Sequence, residues 1–158
     1  MLMKSATVRE LKAELQERSP KEILELCLRL SRFKKENKEL LTYLLFEATD
    51  EQGYIESVKE EIDEKFEQVN HKSPYFIKKS IRSILNHTKK HIRYSQSKET
   101  ELELLIYFCQ KLNVFKSSIH RNRKVETLYD RLVAECKKKT RLLHEDLQYD
   151  YFRELEEL

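Results

Sequence analysis

Apolar residues recur along this chain at intervals of three and four, the spacing that lines one side of an α-helix. Val8, Leu11 and Leu15 open the pattern, with Thr7 placed to cap them. Ser19-Pro20-Lys21-Glu22 reads as a capping box: the serine oxygen accepts an orphan N–H, proline takes the first helical position, and glutamate reaches back. The helix that follows is apolar at Ile23, Leu26, Cys27, Leu30 and Phe33. Leu24 and Leu28 add a second face, so cover on two sides is expected. A third helix, capped by Asn37, carries Leu40, Leu41, Tyr43, Leu44, Leu45 and Phe46 with little polar surface between them, which predicts a central position.

Asp50 starts a fourth helix with a single narrow stripe, Ile55, Val58, Ile62, Phe66 and Val69. Ser73-Pro74 repeats the serine–proline start, and a fifth helix to about Tyr94 sets Ile77, Ile81, Ile84, Leu85 and Ile92 on one face. Ser97 or Thr100 opens the sixth, whose Leu102, Leu104, Leu105, Ile106, Phe108, Cys109 and Leu112 point nearly everywhere. From about Asn122 a long seventh helix runs through Val125, Leu128, Tyr129, Leu132, Cys136, Leu143 and Leu147. Its course through Tyr151, Phe152 and Leu155, unbroken or bent after Gln148, is left open by the pattern. The apolar residues between Tyr149 and Leu158 are expected to dock back on the domain.

These elements predict one all-α domain over residues 1–158, of six to seven helices. A short α-helical repeat-like stack and an irregular bundle both satisfy the pattern, with the third and sixth helices as the central layer. Two stretches, about 19–70 and 73–147, resemble each other: Ser19-Pro20 returns as Ser73-Pro74, and Glu39-Leu40-Leu41-Thr42-Tyr43 as Glu103-Leu104-Leu105-Ile106-Tyr107. A pseudo-repeat would account for this, at the cost of an insertion.

Composition narrows the chemistry. One glycine and two prolines among 158 residues leave no phosphate-cradling loop, dinucleotide fingerprint or nucleophile elbow. The three cysteines, Cys27, Cys109 and Cys136, are dispersed on apolar faces, which argues against a disulfide framework and for inert, buried thiols. The N-terminal residues carry no signal-peptide pattern, and the longest apolar run, Leu40–Phe46, is far below the roughly 20 residues that cross a bilayer. A cytoplasmic protein without membrane contact is expected.

The net charge of +3 conceals signed patches. Glu47–Glu67 holds nine acids against Lys59 and Lys65, whereas His71–Lys98 holds eight bases and no acid. On the fifth helix, Lys78, Lys79, Arg82, Lys89, Lys90 and Arg93 share the side opposite the isoleucines, and that face is the candidate polyanion-binding site. The competing arrangement pairs it with the acidic fourth helix alongside. No aromatic residue interrupts the stripe, which disfavours a stacking platform for single strands. His87 and His91 have a spacing that can grip a metal, with a third ligand sought in His71, His120, His144 or a cysteine; without a spacing rule for it, no metal or cofactor is expected. Glu60, Glu64 and Glu67 line a face that belongs in water and not in a cleft, which argues against their being paired catalytic carboxylates.

The functional expectation is a non-catalytic module, not an enzyme, that binds a protein partner or a second copy of itself. The alternative is a polyanion or nucleic-acid binder acting through the basic face of the fifth helix.

Overall fold

The structure is a computed structural model that describes residues 4–158; Met1–Met3, which open the segment read above for a leader, lie outside them. Among the described residues the protein is all-α, with eight α-helices and no strand. The helices are α1 (Val8–Gln16), α2 (Pro20–Phe33), α3 (Lys35–Thr42), α4 (Glu51–Glu67), α5 (Pro74–Ser95), α6 (Lys98–Ser118), α7 (Arg123–Thr140) and α8 (Glu145–Glu156). A π-helical turn, Tyr43–Glu47, follows α3. The chain divides into two compact units, the first closing at Leu45 and the second running Phe46–Leu158. That boundary falls inside the first of the two mutually similar stretches.

Helix starts obey the local code. Thr7 and Ser19 each close a capping box, accepting from the N–H of Glu10 and Glu22 while those side chains accept from the cap backbone. Asp50, Ser73, Ser97 and Asn122 each accept an N–H of the first turn they precede. Such a cap is worth about 1 kcal/mol. Asn37 does otherwise: α3 begins at Lys35 without a side-chain cap, and the Asn37 amide donates to the Leu30 carbonyl at 2.8 Å, tying α2 to α3. Thr100 is likewise inside α6, its hydroxyl donating to Glu51 at 2.6 Å.

The core lies in the second unit, and α6 is its axis. Leu102, Leu104, Leu105, Ile106, Phe108, Cys109 and Leu112 are all buried because α4, α5 and α7 pack around α6. Each fully buried side chain of this size contributes roughly 1.5–3 kcal/mol. The stripe of α4 (Ile55, Val58, Ile62) and that of α5 (Ile77, Ile81, Ile84, Leu85, Ile92) face inward as expected. The seventh element stops at Thr140, earlier than the pattern indicated, and an eighth helix follows. Gln148 explains the break: its amide donates to the carbonyls of Leu143 at 2.8 Å and Arg141 at 3.4 Å, supplying partners that helix continuation would have supplied. α8 docks back on α7, burying Leu155, and the Leu158 carbonyl accepts from Tyr129 and Asn113.

The first unit departs from expectation. α1, α2 and α3 bury no side chain, and Tyr43, just past α3, is the only buried residue among those described there. The third helix is therefore not a central layer, and α2 is not covered on two sides. Three short helices offer too little surface to enclose one another, so their apolar faces stay open.

Candidate functional site

Three features stand out. The first is the open apolar surface of the first unit. α1 and α2 border a groove of ≈ 720 Å³ floored by Leu11, Leu15, Leu26 and Leu30. Val8 and Phe33, at its far end in sequence, are 83% and 78% exposed. Along the rim, Arg18 pairs with Glu14 at 3.6 Å and Glu22 at 3.5 Å, while Glu25 and Arg29 also line it. A second depression of ≈ 240 Å³ between α2 and α3 is lined by Cys27, Leu30, Leu40, Leu41 and Leu44.

The second is the basic face of α5. Among the described residues no acid of α4 pairs with Lys78, Lys79, Arg82 or Arg93. Asp63 meets Lys111 of α6 at 2.9 Å and accepts from Tyr107, Lys59 bridges Glu56 and Glu103, and Glu61 and Glu51 turn to α5, at His87 and Ser95. Among the described residues Lys78, Lys79, Arg82 and Arg93 form no ion pair, and Lys89 meets Glu135 of α7 only at 3.9 Å. The six sequence-predicted cations therefore divide. Lys78 and Arg82, with Lys79 flanking, make an open cluster, whereas Lys89 lies toward an acid of α7 and Lys90 has an interaction of its own.

The packing adds two cations that helical spacing within α5 could not reveal. Lys124 and Arg131 of α7 share with Lys78 and Arg82 the walls of a small cleft of ≈ 90 Å³, over Ile81, Val125 and Leu128. The Asn122 amide donates to the Pro74 carbonyl at 3.3 Å, so the starts of α5 and α7, with their partial positive charge, lie side by side. Crowding shows at Lys78, whose ammonium is pulled below the usual lysine range by Arg82 and then Lys124. Tyr75, exposed, borders the same cluster beside Lys78, Lys79 and Arg82, so an aromatic ring does adjoin the stripe.

The third is the histidine pair. His87 and His91, one turn apart on α5, both face Glu61 of α4: His87 Nε2 lies 2.7 Å and His91 Nε2 3.9 Å from the same carboxylate oxygen. The hydrogen bond from His87 is the main influence holding the Glu61 carboxyl below its ordinary range; partial burial opposes it, and Lys65, with His91 and His87 when protonated, assists. None of the third partners sought in the sequence, His71, His120, His144 or a cysteine, belongs to this group. Glu61 escaped notice because it lies 26 residues from His87 and joins it only through α4–α5 packing.

The cysteines sit where apolar spacing placed them. Cys109 and Cys136 are buried and Cys27 is half-buried. The Cys109 thiol is pushed up by its contact with Cys136 and by burial, which disfavours the thiolate a nucleophile needs.

Fold and surfaces together define the class: an all-α protein of eight helices among the described residues, with an open apolar hairpin and a cationic cleft. No helix among those residues is long and apolar enough to cross a membrane. No family model, no curated protein and no solved structure matches the chain.

Proposed function

We propose that this chain is a non-catalytic helical interaction module, and that a second copy of itself is the partner its first unit fits. The observation that carries this reading is the open floor of Leu11, Leu15, Leu26 and Leu30 between α1 and α2, continued by exposed Val8 and Phe33. A pair of helices with one oily side and no core of its own gains most by meeting another such pair, which closes both sides into a four-helix arrangement. Mixed charge on the rim, Glu25 beside Arg29, suits a partner with the same composition, since acids and bases then find complements. Exposed apolar surface of this extent marks association sites in soluble proteins.

Light scattering on the full chain over a wide concentration range tests the reading. The mass is expected to rise from one chain to two, and Leu15→Asp or Leu26→Asp to hold it at one without loss of helical signal. A single-chain mass throughout in the unaltered protein overturns self-association.

A second reading rests on a separate observation, the convergence of Lys78, Arg82, Lys124 and Arg131 on one cleft with no carboxylate lining it. Four cations beside two helix starts suit a phosphate-bearing polyanion. If all four engage duplex phosphates, the logarithmic salt slope is about −3.6, and affinity falls about a hundredfold between 50 and 200 mM salt. Titration with duplex and single-stranded oligonucleotides at low salt, repeated with Lys78→Glu, Arg82→Glu and Lys124→Glu, checks this. Undiminished binding by those variants, or none by the parent chain, removes it.

A further inference from the structure

We propose that Glu61, His87 and His91 form a binding site for a zinc-like divalent transition-metal ion, bridging α4 and α5. Two imidazoles and one carboxylate are the donor set of many open zinc sites, and imidazole selects first-row transition metals over magnesium or calcium. One donor atom from each residue lies within 4.8 Å of the other two. Ligands at 2.0–2.1 Å from a tetrahedral ion stand about 3.3 Å apart. The observed separations to the shared Glu61 oxygen, 2.7 Å from His87 and 3.9 Å from His91, bracket that value. Shifts of about 0.6 Å in opposite senses bring both into place, within the freedom of a partly exposed glutamate.

The surroundings orient the donors. Tyr54 of α4 places its hydroxyl 2.8 Å from His91 Nδ1 and 3.2 Å from the His91 carbonyl oxygen. With the phenol proton given to that carbonyl, the ring's Nδ1–H donates to the phenol oxygen, and Nε2 keeps its lone pair toward Glu61. This is the outer-shell bond that fixes tautomer and ring plane at histidine metal sites. The two imidazole rings, 4.6 Å apart between centroids, sit one helical turn from each other on α5, so both reach the same point with little rotamer change.

Burial grades across the site. The side chains of His87 and His91 are 16% and 12% exposed and Glu61 is 47% exposed, so an ion enters from the glutamate side and takes water as its fourth ligand. Lys65, one turn beyond Glu61, supplies a competing positive charge; a neutral replacement there is expected to tighten binding.

Isothermal titration of Zn²⁺ and visible spectroscopy with Co²⁺ on the full chain test the site, in a Cys27→Ser background that removes the more accessible thiol. One ion per chain is expected, with the intense visible bands of tetrahedral Co²⁺ and no comparable response to Mg²⁺. His87→Ala, His91→Ala and Glu61→Gln should each weaken Zn²⁺ binding at least tenfold, while His144→Ala leaves it unchanged. His87→Gln, which keeps a polar partner for Glu61, guards against loss through misfolding, with circular dichroism as the check. Failure to saturate at millimolar Zn²⁺, or binding of equal strength in folded His87→Gln, overturns the proposal.

Discussion

Around Glu103, three side chains show how burial changes the behaviour of single groups. Lys59 of α4 lies 2.8 Å from Glu103 of α6, and burial of Lys59 is outweighed by its two carboxylate partners, so its ammonium is raised. Across from it, burial and the Glu103 charge push the Glu154 carboxyl upward. Tyr151 feels burial first and then Glu103 and Glu99, which take its phenol from 10.0 to about 12. A group raised in the folded state contributes stability below its unfolded value and loses it as pH climbs through the folded one. Tyr151 should therefore cost the protein stability between about pH 10 and 12. Tyr151→Phe is expected to match the parent's denaturation midpoint at pH 8 and exceed it above pH 11; equal midpoints throughout would remove this account.

Most elements begin where the sequence says, whereas the end of α7 is decided by a neighbour. Ser19, Asp50, Ser73 and Asn122 were legible as starts because capping is local chemistry, settled within three residues. The end of α7 was not, since it depends on Gln148 reaching back to carbonyls five and seven residues earlier. Gln148→Ala is expected to cost about 0.5–1.5 kcal/mol and to speed amide exchange at the start of α8. An unchanged exchange pattern would show that the turn holds without it. On α5, helical spacing correctly separated isoleucines from cations, yet it could not tell that Lys89 leans toward Glu135 or that Lys124 and Arg131 would join Lys78 and Arg82. Those facts belong to the packing of α5 against α7.

At the scale of the molecule, stability is unevenly held. The second unit owns nearly all buried side chains, with Phe108 among the largest at 0% exposure. Phe108→Ala should cost about 3–5 kcal/mol. The first unit has no comparable core, so its amides are expected to exchange faster than those of α4–α7 in hydrogen-exchange measurements on the isolated chain. Its exchange should slow with rising concentration if a second copy covers Leu15 and Leu26; indifference to concentration argues against that cover.

The sequence by itself determined the helical class, six of the seven starts that it assigned to a single capping residue or pair, and the partition of α5 into oily and charged sides. These follow from a period of 3.6 residues and from backbone groups that need partners within one turn. Only the tertiary structure decided that α3 buries no side chain, that no acid of α4 pairs with Lys78, Lys79 or Arg82, and that Glu61 meets two histidines. The reason is the same in each case. Helical periodicity states which side of an element seeks cover but not which neighbour supplies it, and α2 and α3 carry as clear an apolar pattern as α6 while only α6 is surrounded.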